Sequence, residues 1–303
     1  MKEMLFKGPI IEFQNVSITF ENDWSLSDIS FKLERGQMIC ITGASGSGKS
    51  VLLRLASGLL VPDEGRVLVE GREIGHLSEN ELLALRSATM GIVFQEPSLF
   101  TGMSVFENTS YRLDEHGWPE EDIENAVHEI LRFVGLEEDI DKLPEELSIG
   151  MGRRLEFARA LVGWPEIMLF DEATSGLDPV NARIMLDLII RARDVHNISA
   201  LYVTKELHEI PYLAVHCAVQ KGQGEIFIQR IDSEPAREVA SKLAGKVRVM
   251  VLDEGRTAFT GAPDEFESTS LPEVMRLTHP GPSAPQTDTY ITDPWRHKTK
   301  PEE

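Results

Sequence analysis

The sequence predicts an α/β fold built on a parallel sheet with helices on both faces. Three observations predict it. Short, wholly apolar runs such as Ile167–Phe170 and Leu201–Val203 have the composition of strands buried on both sides. Segments of about 10–15 residues with apolar positions at helical spacing alternate with such runs. A glycine-rich stretch, Gly43–Lys49, lies between one apolar strand and one apolar-periodic helix.

Taken in order, Ile10–Phe13, Ser17–Phe20, Ile29–Leu33 and Met38–Ile41 read as strands separated by polar breaks. After the glycine-rich loop, Leu52, Leu53, Leu55, Ala56 and Leu59 set a helix over Ser50–Leu60. Pro62–Gly65 is a turn, and Arg66–Glu70 is a strand closed by a turn at Gly71. Ser78 is a good N-cap with Glu81 at the capping-box position, so a helix starts there. Gly91–Phe94 reads as a strand. Residues 112–146 hold 13 acids and 3 bases, a net −10 that is half the charge of the chain. Within them Ile123, Val127, Ile130, Leu131 and Val134 recur at helical spacing, which predicts a solvated helical lobe with one buried stripe. Leu155, Ala158, Leu161 and Val162 form the stripe of a further helix that Ser148 can cap. Val247–Leu252 is another buried strand. From His279 onward five prolines fall in 25 residues. Residues 271–303 are expected to be a disordered tail or an arm that orders against a partner.

The composition excludes several classes. The chain has 303 residues, 30 basic and 50 acidic, for a net charge of −20. A surface this acidic is a poor non-specific partner for nucleic acid or for anionic lipid head groups. An anionic ligand must therefore be held by a local arrangement. The two cysteines, Cys40 and Cys217, include no Cys-x-x-Cys and give no zinc signal, and Cys40 reads as a small core hydrophobe. Met1–Phe13 lacks a signal-peptide core, and no run approaches the ~18 apolar residues of a membrane span. The expectation is a soluble, cytoplasmic chain for which another polypeptide supplies any membrane spans.

Gly43-Ala44-Ser45-Gly46-Ser47-Gly48-Lys49-Ser50 fits G-x-x-x-x-G-K-[ST] in full. Glycines let successive backbone N–H groups converge on phosphate oxygens, and the helix N-terminus adds positive dipole. Gly43, Ser45, Gly46, Gly48 and Val51 are the positions expected to line the phosphates. Lys49 is expected to reach the β- and γ-phosphates and Ser50 to ligate Mg²⁺ through its hydroxyl. A second half of the site follows at Ile167-Met168-Leu169-Phe170-Asp171-Glu172. Acids ending a buried strand are costly unless they serve a metal, a proton or a charge. Asp171 is placed to hold Mg²⁺ through water, and Glu172 to orient and deprotonate an attacking water. Leu147-Ser148-Ile149-Gly150-Met151 opens a helix whose first-turn N–H groups make an anion site.

In this order the motifs resemble the nucleotide-binding subunits of ABC transporters. The resemblance rests on the phosphate loop, Gln95 in Val93-Phe94-Gln95-Glu96, the Leu-Ser-x-Gly signature, Leu169–Glu172 and Ser175-Gly176-Leu177-Asp178. It covers residues 8–270. It implies a P-loop NTPase with a RecA-like parallel-sheet core, an antiparallel β subdomain and a helical subdomain at about 96–160. Residues 221–246 look like an insertion. It further implies head-to-tail dimerisation, homo- or heterodimeric, in which Ser148 and Gly150 of one subunit close the ATP held by the other. Gln95 would ligate Mg²⁺ and sense the membrane partner, and Asp178 would communicate across the dimer. Phe20 matches the aromatic that stacks on adenine, with Trp24 as the fallback. The implied cofactors are ATP and Mg²⁺. The implied partner is a transmembrane permease that holds the subunit on the cytoplasmic face of the membrane.

Within that family, Ser98–Asn108 followed by Glu115-His116, and Met151 with Arg153-Arg154, are similar to the ATPases of Mla/MCE-type lipid transport systems. That similarity implies phospholipid or related cargo and MCE-type lipid-binding partners. Two positions depart from the family pattern. Lys205 stands where a histidine contacting the γ-phosphate is expected, so it becomes the candidate catalytic partner of Glu172, as a flexible ammonium rather than an oriented imidazole. Ile149 stands where the signature usually has glycine. ATP is then expected to bind normally and to be hydrolysed slowly, or a more regular second subunit completes the site. The other readings are a degenerate ATP-binding regulatory subunit and a soluble ABC ATPase of translation or DNA repair. The single nucleotide-binding unit and acidic balance disfavour the last.

Overall fold

The structure, a computed structural model, describes residues 7–20, 24–96, 98–221, 225–233, 236 and 245–278. Two sheets carry the fold. The first is antiparallel and pairs β1 (Ile11–Thr19) with β2 (Ser25–Leu33) on one side and β4 (Glu64–Val69) on the other, with the short β5 (Arg72–Glu73) outside β4. The second contains β3 (Met38–Gly43), β6 (Met90–Val93), β7 (Ile167–Asp171), β8 (Ser199–Val203), β11 (Val247–Asp253) and β12 (Arg256–Gly261). Its order is β12-β11-β3-β8-β7-β6, with every neighbour parallel except β12 against β11.

Alternation along the central strands explains their all-apolar composition. Met38 and Cys40 of β3, Met168 and Phe170 of β7, and Ala200 and Tyr202 of β8 join one core. Ile39, Ile41, Ile167, Leu169, Leu201 and Val203 point the other way into a second core, shared with the antiparallel sheet. Helix α1 (Lys49–Ala56) follows β3 and fills the second core with Leu52, Leu55 and Ala56. α2 (Glu79–Thr89) starts at Ser78 with the expected capping box, the Ser78 N–H donating to Glu81 Oε2 at 2.8 Å.

α3 (Val105–Glu115), α4 (Glu120–Val134) and α5 (Ile149–Leu161) pack on one another as a helical lobe. The stripe Ile123, Val127, Ile130, Leu131 and Val134 is buried along α4, which ends on the left-handed Gly135. α6 (Pro179–Val195) and α7 (Glu209–Val215) cover the first core beside α5. α8 (Pro263–Ser268) packs on β11 and β12.

Three expectations need correction. Ile10–Phe13 and Ser17–Phe20 are not separate strands. Asn15 adopts φ 51°, and the register of β1 against β2 shifts between Phe13 and Val16, so a bulge absorbs the polar break. Asn tolerates that backbone, and its Nδ2 is held by Asp28 Oδ1 at 2.8 Å. Second, the segment expected as an insertion over 221–246 contains the second strand of a hairpin that begins before it. β9 (His216–Lys221) pairs with β10 (Glu225–Arg230), and Ala236 is buried against Cys217 and Val219. Residues 222–224, 234–235 and 237–244 lie outside the described residues. Third, the tail expected over 271–303 starts as a helix, α9 (Pro272–Thr278), with Val274 buried. The rest of that tail, from His279, lies outside the described residues.

β6 meets α5 closely. A Cβ at Gly91 would stand 2.1 Å from the carbonyl oxygen of Ala160, a backbone atom that cannot swing aside. Gly91→Ala is expected to cost ~2 kcal/mol or more and to lower the melting temperature by several degrees, read by calorimetry. An unchanged transition would mean that β6 and α5 separate without cost.

Candidate nucleotide site

The parallel strands put their C-terminal ends at one edge, where ligands of open α/β sheets bind. β3 delivers the phosphate loop there, β7 delivers Asp171 and Glu172, and β8 leads to Lys205. Ala44, Ser45 and Gly46 are exposed, whereas Ser47, Gly48 and Lys49 are buried beneath them. Gly48 has φ +104°, and a Cβ there would sit 2.6 Å from Leu26 Cδ2 and 2.8 Å from the Trp24 ring, so both backbone and space require glycine. The first bond closing α1 runs from Leu52 N–H to Gly48 O at 3.0 Å. The N–H groups of Lys49, Ser50 and Val51 therefore have no helical acceptor and face the loop, while the Val51 side chain is buried in the core.

Lys49 folds back on the loop. Its Nζ donates to Gly43 O at 2.9 Å and to Ala44 O at 2.8 Å. Burial pushes its pKa down, with the Glu172 and Asp171 charges opposing. A phosphate group arriving there would replace two neutral acceptors with an anion and favour the ammonium. Ser50 Oγ donates to Asp171 Oδ1 at 3.1 Å, joining the two halves of the motif across 121 residues. Burial raises the pKa of Asp171, and the Ser50 hydrogen bond only partly offsets this. A hydroxyl and a half-buried carboxylate at this separation are hard oxygen donors suited to Mg²⁺. Among the described residues no group of three or more His, Cys, Asp or Glu forms a metal cluster. The remaining ligands would come from nucleotide and water, as is usual for Mg²⁺.

Glu172 has left-handed backbone, φ 49°, on a residue type that seldom adopts it. Its N–H donates to Val203 O at 3.0 Å, tying it to β8. Lys205 Nζ lies 2.9 Å from Glu172 Oε2, and this bond is the main reason the Lys205 pKa is raised. The two candidate catalytic residues, 33 positions apart, are thus an ion pair. Behind them lies a carboxylate that sequence reasoning missed. Glu209 is 1% exposed and accepts from Tyr202 Oη at 2.8 Å, from Thr204 Oγ1 at 2.6 Å and from the Thr174 hydroxyl. It fastens the loop after Glu172 to the loop before Lys205. The only signal was an acid in the first turn of a short, otherwise apolar helix.

Phe20 is a correction. It continues the inward register of Val16 and Ile18 and is 5% exposed, so no face is open to an adenine. Trp24 packs against it at 5.7 Å between ring centroids and lies against Gly48, so Trp24 is the aromatic at the rim of the loop. Gln95 is exposed two residues past the end of β6, on the same sheet edge, and its carbonyl accepts from Arg153.

Ser148, Gly150 and Asp178 form a second group. Ser148 Oγ accepts from Met151 N–H at 3.3 Å and caps α5, and Asp178 Oδ1 accepts from Val180 N–H at 2.9 Å and caps α6. A Cβ on Gly150 would meet Asn181 Oδ1 at 2.2 Å, which places the two helix starts side by side. None of the three is hydrogen-bonded to the phosphate loop among the described residues. Ile149 beside them is 76% exposed and Val180 68%, an open apolar surface at this second group.

A family model described as ABC transporter matches residues 26–175. The chain is 37% identical over 227 residues to the methionine import ATP-binding protein MetN 2 of Bacillus cereus, covering 72% of this chain and 67% of that protein. It is 35% identical over 216 residues to the glycine betaine/carnitine transport ATP-binding protein GbuA of Listeria monocytogenes, covering 70% of this chain and 54% of that protein. Among solved structures, cbiO1 from Clostridium perfringens, part of the ABC transporter complex cbiONQ, superposes with a TM-score of 0.70 at 26% identity over 90% of this chain and 96% of that one. With the loop, the paired acids and the helical lobe in place, the chain belongs to the ATP-binding subunits of ABC transporters, ATPases that use MgATP and work with a membrane permease.

Proposed function

We propose that this chain is a transport motor in which the group around Gly43–Val51, Asp171 and Glu172 holds and cleaves MgATP, and the group around Ser148, Gly150 and Asp178 closes the nucleotide of a second ATPase subunit. The observation that carries the reading is the Ser50–Asp171 bond at 3.1 Å beside Lys49, which assembles phosphate and cation ligands from two distant motifs. Lys49 and the loop N–H groups bind the β- and γ-phosphates. Ser50, Asp171 and Gln95 would hold Mg²⁺, whose charge would offset that of the phosphate oxygens. Trp24 replaces Phe20 as the residue that covers the adenine. Glu172 positions a water in line with the γ-phosphorus and takes its proton as the new P–O bond forms and the bond to ADP breaks. The departing charge is met by Lys49 and by the partner's helix start.

In this reading the chain sits on the cytoplasmic face of the membrane through its permease. No helix among the described residues is long and apolar enough to cross a membrane. Relatives named for methionine import and for glycine betaine and carnitine transport favour import of a small zwitterionic solute. Lipid cargo with MCE-type partners is the second reading. It rests on the sequence similarity of Ser98–Asn108, Glu115-His116 and Met151 with Arg153-Arg154, and the relatives named above give it no support. The test is to purify the subunit with its permease and measure ATP turnover with methionine, with glycine betaine and with phospholipid. Stimulation by phospholipid alone would reverse the order, and recovery of ribosomes or DNA in place of a permease would sink the transport reading.

The Lys205–Glu172 ion pair supports slow basal hydrolysis, because the base is already engaged by a cation. An ion pair exposed on its lysine side is worth about 0.2–1 kcal/mol, so Lys205→His is expected to raise turnover by about 1.4- to 5-fold. Phosphate release measures it, and an unchanged or lower rate would count against Lys205 restraining Glu172.

A further inference from the structure

We infer that Arg153 and Glu156 are positioning residues that lock the stretch after β6 to α5, so that Gln95 and the Ser148–Gly150 tip move as one body. Both side chains are buried, at 6% and 4% exposure. Arg153 Nη1 donates to Phe94 O at 2.9 Å and to Glu156 Oε2 at 2.8 Å, and its Nη2 donates to Gln95 O. The other Glu156 oxygen accepts from Ser98 N–H at 2.7 Å. One turn on, Arg159 Nη1 donates to Ser98 O at 2.7 Å. Positions i, i+3 and i+6 share one helix face, so the three side chains grip a single stretch of main chain.

Neighbouring helix positions show that apolar side chains fit here, since Leu155 and Phe157 are fully buried on the same helix. A buried ion pair adds little stability over such packing, but it fixes geometry. Here the geometry fixed is that of backbone groups in a segment with no regular structure of its own. Arg153 lies five residues from Ser148, about 8 Å along the helix axis. A displacement of Gln95 on binding nucleotide, or of Ser98 under a permease, is therefore transmitted to the helix start that faces the second subunit. Arg159 reaches Ser98 and the Phe100 ring, and the link to Gln95 runs through Arg153.

This inference rests on the proposed roles of Gln95 and Ser148–Gly150. The test compares wild type, Arg153→Ala, Arg153→Lys and Arg153→Met. Each is assayed as isolated subunit and in complex with its permease, in phosphatidylethanolamine/phosphatidylglycerol vesicles. Arg153→Ala is expected to lose at least about fivefold of the permease-dependent stimulation, with basal turnover and the KM for MgATP changed less than about twofold. Arg153→Lys, able to hold one carbonyl, should recover part of the loss. Proportional loss of both rates, or full stimulation, would overturn the inference. If the alanine variant does not fold, Arg153→Met, which keeps the length of the side chain and loses both carbonyl bonds, is read the same way. On the unaltered chain, MgATP should change amide exchange of residues 94–98 and 148–152 together, and a change in one segment alone would refute the link. If the wild-type complex shows no stimulation, the transport reading fails instead, and the exchange experiment still decides whether the segments are coupled.

Discussion

Glu172→Gln is expected to lower ATP turnover by about 10²–10⁴-fold while leaving MgATP bound, the loss typical of a general base. Glutamine matches the shape of glutamate and keeps the N–H bond to Val203 that orients the residue. It cannot accept the proton of an attacking water. The substitution also removes the anion facing Lys205, whose ammonium lies 2.9 Å from Glu172 Oε2 and would then meet a neutral amide. Single-turnover phosphate release, with nucleotide retention measured on the same sample, separates chemistry from binding. A variant that turns over within tenfold of wild type would remove Glu172 from the reaction and leave another group to activate water.

The second large effect concerns Lys49. Its amine is the buried cation at the phosphate loop, held by two carbonyl oxygens that a triphosphate would displace. Charge-assisted bonds are worth roughly 1.5–3 kcal/mol each, so Lys49→Met should weaken MgATP binding by about 10²-fold or more. The nucleotide-free protein should melt within a few degrees of wild type, because burial already disfavours this cation. A thermal-shift titration reads both numbers at once: wild type gains about 2.7 kcal/mol of stability at a hundredfold excess over Kd, and the variant gains about 0.4 kcal/mol or less at the same concentration. Equal shifts in the two proteins would mean that main-chain amides alone hold the nucleotide.

Much of the central sheet and half of the site were legible before any coordinates. Wholly apolar runs reported strands buried on both faces because both faces meet cores, as Met38 and Ile39 show by entering different ones. The phosphate loop and the acids of β7 carry local signatures, and Ser78 with Glu81 marks a helix start in four residues. What was missed depends on chain-distant geometry. Alternation along the expected strand Ser17–Phe20 already turns Phe20 inward with Ile18, and its role at adenine came from the family resemblance alone. A bulge at Asn15 joined two predicted strands, because a polar break looks the same in sequence whether it ends a strand or kinks one. The Lys205–Glu172 pair and the Glu209 hub join residues from separate loops, and no spacing rule brings them together. The bonds of Arg153 and Glu156 to Phe94, Gln95 and Ser98 likewise join residues 58 or 59 positions apart, beyond any spacing rule.

The left-handed backbone at Glu172 has an evolutionary corollary. Branching at Cβ is strongly disfavoured at that dihedral, whereas Asn, Asp and Gly tolerate it. Lineages that shed the carboxylate here would drift toward asparagine and glycine and avoid valine, isoleucine and threonine. A silenced copy of this gene should then carry the mark of the peptide conformation as clearly as that of the lost reaction.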